Sequence, residues 1–222
     1  MYFVLFISVA LLSWAVSALL DHRFKKYAKV YLPLTGREVA EKMLRDNGIY
    51  DVQVTCTPGH LTDHYDPRNK TVNLSEAVYS SNNVAAAAVA AHECGHAVQH
   101  AFSYAPLNMR STLVPVVNFA SQWVTWILLG GILMVETFPQ LLLVGIILYA
   151  LTTLFAFITL PVEINASRRA IAWLEQSGIT DYQTTPMASS ALRSAAYTYV
   201  VAALSSLGTL IYYILIFTSR CD

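Results

Sequence analysis

Leu141-Leu-Leu-Val-Gly-Ile-Ile-Leu-Tyr-Ala-Leu-Thr-Thr-Leu-Phe-Ala-Phe-Ile-Thr-Leu160 carries no charged side chain, and Pro161-Val162-Glu163 follows it directly. A helix of that length rises about 30 Å, the thickness of a bilayer's hydrocarbon core. Tyr2–Leu20, Val116–Val135 and Ala195–Phe217 are comparable apolar stretches. The second and third spans in chain order are separated only by Glu136-Thr-Phe-Pro-Gln140, which demands a tight hairpin. Composition agrees: 13% of the 222 residues are charged, against roughly 25% in an average soluble domain. Mean hydropathy is +0.47. Such a chain is not disordered. Fourteen basic and fourteen acidic residues cancel, so no bulk positive charge recruits nucleic acid. Cys56, Cys94 and Cys221 are too few and too scattered for a disulfide framework.

The first apolar stretch lacks a basic leader and runs straight into Asp21-His-Arg-Phe-Lys-Lys-Tyr27. Despite small residues at 15–18, it reads as an uncleaved anchor rather than a signal peptide. Ten of the fourteen Lys and Arg residues fall in 21–115, and Arg168, Arg169 and Arg193 fall in 161–194. Only Arg220 is left for the other face. Positive charge stays on the cytoplasmic side, so the amino terminus is expected outside and both polar pieces inside, where they can meet. The expected organisation is a transmembrane helix over 1–20, a cytoplasmic part over 21–115 and spans over 116–135 and 141–160. A cytoplasmic segment over 161–194 and a last span over 195–217 complete it.

Within the polar part, Thr35-Gly-Arg-Glu38 reads as a capping box. Val39, Ala40, Met43 and Leu44 give the helix behind it one apolar face, and Asn47-Gly48 closes it. Tyr50, Val52, Val54 and Cys56 alternate with polar residues, as in a half-buried strand. His60–Tyr65 and Thr71–Leu74 flank Asp66-Pro-Arg-Asn-Lys70 and predict a hairpin. Past the capping candidates Ser80-Ser-Asn-Asn83, the alanine-rich run from Val84 predicts a helix to about residue 103.

That helix carries His92-Glu-Cys-Gly-His96, an HExxH pattern. Residues i and i+4 share a helix face, so both imidazoles can reach one ion. Zinc suits nitrogen donors in a tetrahedron. Glu93, about 100° further round, can take a proton from a water there. Gly95 weakens the helix by about 1 kcal/mol relative to alanine, which suggests close approach of another backbone or of substrate. A third ligand is needed. His100 lies roughly 12 Å further along the axis, too far for a bond of about 2 Å, and reads as an orienting or surface residue. Glu163 leaves the third span on the same face of the membrane as His92 and can reach the ion. Its plainer reading is an acid at a helix start. Arg168 and Arg169 can anchor the interface or act in the site. His60 and His64, four apart in the expected strand, are surface residues or the rim of a cleft.

Gly59-His-Leu-Thr-Asp-His-Tyr-Asp-Pro67, His92-Glu-Cys-Gly-His-Ala-Val-Gln-His100, Tyr104-Ala-Pro106 and Leu160-Pro-Val-Glu-Ile-Asn-Ala-Ser-Arg-Arg169 together resemble the YugP-type bacterial membrane zinc metallopeptidases, over nearly the whole chain. The resemblance implies a gluzincin-like neutral endopeptidase of the bacterial inner membrane with one zinc per chain. It matches His92 and His96 to the ligand histidines, Glu93 to the catalytic glutamate and Glu163 to the third ligand. Asn165 departs from the aspartate expected at its position, which leaves open the role of orienting a ligand histidine. The fold expected is mainly α: four transmembrane helices with a cytoplasmic zincin-like α+β subdomain holding a small hairpin or sheet and the HExxH helix.

The activity expected is hydrolysis of peptide bonds in a membrane-associated protein or peptide. An oxyanion donor stays open among His60, His64, Arg168 and Arg169. In such a fold an extended substrate can join an edge strand, with 60–65 or 71–74 as candidates. A non-catalytic zinc-binding adaptor of the same fold is the rival, against which Glu93 counts, since a structural site needs no base. A metal transporter would place ionisable residues inside the spans, and spans two to four have none.

Overall fold

The computed structural model describes residues 2–221. Four helices are long and apolar enough to cross a membrane: α1 (Tyr2–Tyr27), α5 (Ala105–Leu133), α6 (Pro139–Gln176) and α7 (Thr184–Cys221). Between α1 and α5 lie α2 (Gly36–Asp46), β1 (Gln53–Thr57), β2 (His64–Asp66), β3 (Thr71–Ser75), α3 (Glu76–Tyr79) and α4 (Val84–Ala101). The chain divides into two compact units.

One unit comprises Met1–Ser13, Asn108–Pro161 and Tyr199–Asp222. Here α5 and α6 form the tight hairpin expected from the five-residue connection. Glycine makes it possible: a Cβ on Gly131 would sit 2.6 Å from the Leu142 Cα. Val124, Leu128, Leu142 and Ile146 fill the interior, and Tyr149 packs on Tyr213 with ring centroids 5.9 Å apart. Trp123, Trp126, Leu133 and Ile147 face outward. An outer surface of that kind suits lipid, where apolar side chains incur no hydration cost.

The other unit joins Trp14–Leu107 to Val162–Thr198, the two polar pieces that the charge distribution expected to share a face. Its centre is α4. Ala85 to Ala91 are all buried, as are Cys94, Ala97 and Val98. A helix buried all round needs small side chains, because neighbouring elements approach it from every direction. Asn83 caps it, with its side chain accepting from the Ala86 N–H at 2.9 Å. The α2 capping box forms as read, and Val39, Ala40, Met43 and Leu44 turn inward. On α6, Val162, Ala166, Ala170 and Leu174 form a fully buried row at four-residue spacing. The indole of Trp173 donates to Asp46 on α2 at 3.1 Å.

The sheet has the order β1-β3-β2, with β1 parallel and β2 antiparallel to β3. Val72 and Leu74 of β3 point into the core, while Asn73 points outward and binds Thr55 and His64. Several boundaries differ from the reading of the sequence. The strand expected over 60–65 shrinks to His64–Asp66: Gly59 and Leu61 both have positive φ (108° and 58°), which breaks an extended run. His60 and His64 therefore do not share a strand face. Residues 71–74 are internal rather than an edge, so the free edges belong to β1 and β2. Tyr50 is 80% exposed and outside β1. Helix α4 stops at Ala101, and α5 begins at Ala105, eleven residues before the expected span. Pro161 lies inside α6 rather than ending it, so Glu163 is mid-helix and not an acid at a helix start.

Candidate metal centre

His92 and His96 project from one face of α4, and Glu163 projects from α6. Each offers one ligand atom, all within 4.8 Å of one another. The Glu163 Oε2 lies 3.2 Å from His92 Nε2 and 3.6 Å from His96 Nε2. Donor atoms around a tetrahedral zinc with bonds of about 2 Å stand about 3.3 Å apart. Two imidazole nitrogens and one carboxylate oxygen are also the donor set of a catalytic zinc with one position left open. The residues fit the metal.

Gly95 permits this convergence. A Cβ at that position would lie 2.7 Å from the Ala166 carbonyl oxygen, so only glycine lets the α6 backbone settle onto α4. That is the close backbone approach the sequence suggested. Cys94 faces the opposite way, buried, with its thiol donating to the Ala40 carbonyl at 3.5 Å. Burial, then the charge of Glu93, push its thiol well above the ordinary range, so it packs as an inert small apolar residue.

Glu93 and His96 are both buried, and His92 is half-buried. Burial acts against a charged His96. The hydrogen bond to Glu163, the charges of Glu93 and Glu163 and the bond to Gln99 together outweigh it and raise the imidazole above its ordinary value. The site is thus electronegative and ready for a cation.

Behind the donors lie residues that the sequence reading did not single out. Ser167 Oγ is 3.1 Å from His92 Nδ1, and Gln99 Oε1 is 3.0 Å from His96 Nδ1. Helical spacing carries the signal that could have found them: Gln99 is three residues past His96, and Ser167 is four past Glu163. His100, read as an orienting candidate, is exposed and bonds instead to the Tyr65 hydroxyl at 2.8 Å, because its position on α4 turns it toward β2. Asn165 accepts from Gln99 and from Arg169 Nε at 3.0 and 2.8 Å. Arg168 is exposed. His64 holds the Thr62 carbonyl at 2.7 Å and Asn73. His60 lines a separate cavity of about 330 Å³ with Leu20, Phe24 and Leu61. The triad, Asn165 and Arg169 are therefore gathered in one place, while the contacts described for His64 and His100 and the cavity lined by His60 lie elsewhere.

Comparison with known proteins identifies a family and a relative. A family described as "Putative neutral zinc metallopeptidase" matches residues 2–218. The chain is 44% identical over 201 residues to the "Putative membrane protease YugP" of Bacillus subtilis (strain 168), covering 90% of this chain and 88% of that relative. No solved structure matches.

Proposed function

This chain belongs to the neutral zinc metallopeptidase family, and from that premise we propose that it is a membrane-embedded zinc endopeptidase cutting membrane-associated proteins or peptides. His92, His96 and Glu163 hold the metal, and Glu93 is the general base. The observation that carries this reading is the convergence of the three donors within 4.8 Å of one another, with Glu163 Oε2 3.2 and 3.6 Å from the two imidazole Nε2 atoms.

Bound zinc supplies Lewis-acid polarisation of a water and of the scissile carbonyl. Glu93, next in sequence to a ligand and buried beside the triad, takes the proton from the attacking water. The same carboxyl then passes it to the nitrogen of the departing amine, so the carboxylate is regenerated within each turnover. His92 and His96 serve as neutral nitrogen donors, each through the Nε2 that faces Glu163. An extended substrate can add to the free edge of β2 or of β1 by main-chain hydrogen bonds.

The unit holding the triad contains twelve of the fourteen Lys and Arg residues. The positive-inside tendency therefore supports a cytoplasmic site at the membrane surface and an amino terminus on the far side. A bacterial plasma membrane is the location this reading assigns.

The test is Glu93→Gln in the full-length protein, assayed for bound zinc and for cleavage of casein. Zinc should stay at one per chain, while turnover falls by about 10²–10⁴-fold, the contribution of a positioned acid–base group. Full activity in that variant would refute the mechanism. Zinc binding by the wild type without any cleavage would favour a non-catalytic adaptor.

A further inference from the structure

Gln99 is fully buried and makes three side-chain hydrogen bonds. Its amide joins a ligand imidazole to the α6 backbone. Nε2 lies 2.8 Å from the Val162 carbonyl oxygen and 3.0 Å from Asn165 Oδ1, and Oε1 lies 3.0 Å from His96 Nδ1.

The chemistry of the partners fixes which end of the amide is which. A backbone carbonyl can only accept, so the group facing Val162 is the NH₂. The second contact gives the same answer independently. Arg169 can only donate, and its Nε lies 2.8 Å from Asn165 Oδ1. The Asn165 atom between Arg169 and Gln99 is therefore an oxygen, and the Gln99 atom facing it is a nitrogen. Both Gln99 protons are then committed, and its oxygen faces His96. An oxygen there requires a proton on His96 Nδ1, so in the neutral imidazole the lone pair is on Nε2, facing Glu163.

We infer that Gln99 is a positioning residue that sets His96 in the Nδ1–H tautomer before any metal arrives, with Asn165 and Arg169 fixing the amide's direction. The inference rests on the reading of His96 as a zinc ligand. It also gives Asn165 a use: its carbonyl oxygen accepts from both neighbours, as an aspartate oxygen would, without adding a buried negative charge. His92 is treated differently. Its Nδ1 partner, the Ser167 hydroxyl, can donate or accept and imposes no tautomer. His96 is thus the preset ligand and His92 the adaptable one.

The test uses metal-free, full-length protein with ¹⁵N-labelled histidine, in alkaline buffer where imidazoles are neutral. The expected spectrum shows His96 protonated at Nδ1. Gln99→Met, similar in size and without polar atoms, should release a mixture of tautomers. Its zinc affinity, read by chelator competition, should fall by about 10–100-fold, the usual effect of losing such a partner. A wild-type spectrum with the proton on Nε2 overturns the inference, even if Gln99→Met fails to fold. An unchanged zinc affinity in a folded Gln99→Met protein overturns it as well. Neither readout involves peptide cleavage, so an inactive protein that passes both tests would sink the peptidase reading and leave this one standing.

Discussion

Gly95 and Ala166 meet backbone to backbone, and that contact sets the distance between the two helices that carry His92, His96 and Glu163. A Cβ on Gly95 would lie 2.7 Å from the Ala166 carbonyl oxygen and 3.1 Å from its Cα. Neither atom is at the end of a flexible side chain, so nothing can swing away. Glu163 is three residues before Ala166 and His96 is one after Gly95, so any separation at this contact is passed directly to the donor set. Gly95→Ala would improve the helix propensity of α4 yet should destabilise the protein by about 1–3 kcal/mol through overpacking. Thermal unfolding should show that loss, and zinc affinity should fall with it. A variant that binds zinc as the wild type does would show that this contact does not govern donor spacing.

Glu163→Gln separates metal binding from proton transfer. An amide of the same shape keeps the fold but offers a neutral, weaker oxygen to the ion. Zinc affinity should fall by more than about 100-fold, beyond the loss typical of an outer partner, and activity should return in part at high zinc concentration. Glu93→Gln should show the reverse pattern, with zinc retained and no rescue by added metal. Metal content and cleavage rates at several zinc concentrations distinguish the two.

Much of this centre could be read from the residues. The i, i+4 histidines, the helix around them and Glu163 as a candidate partner beyond the third span all follow from spacing, alanine content and charge placement. Other features could not be read locally. The expected hairpin forms between β2 and β3, but β1 also pairs, in parallel, with β3, its neighbour in the sheet but not in sequence, and only tertiary packing chooses that partner. Pro161 reads as a stop because it removes a helical hydrogen bond. Yet α6 continues through it, held on its far side by the buried row of Val162, Ala166, Ala170 and Leu174. Gln99 and Ser167 carry no metal-ligand signature. Their use emerges only once α6 lies against α4.

Ser167 offers a graded counterpart to Gln99. Its hydroxyl supports the ring of His92 at 3.1 Å, but a hydroxyl adapts to either tautomer. Ser167→Ala should lower zinc affinity by about tenfold, the low end of the range for such partners, and should leave the His96 ¹⁵N spectrum unchanged. A loss equal to that of Gln99→Met would mean that both histidines depend equally on their outer partners.

The capping box of α2 makes stability depend on acid pH with a definite sign. The backbone N–H and the hydroxyl of Thr35 both donate to Glu38 Oε2 at 2.8 Å, and those two bonds hold the Glu38 carboxyl below its ordinary value of 4.5. The charged form is therefore the one the folded state favours. Its contribution is complete above 4.5 and disappears as the pH falls through the lower, folded-state value. Because α2 packs Met43 and Leu44 into the core around α4, loss of this cap loosens the support behind α4. Glu38→Gln should be less stable than the wild type at neutral pH, and their unfolding midpoints should converge in acid. Comparing the pair at each pH cancels every other titrating group. A gap that widens on acidification would reverse the sign and rule out the cap as its source.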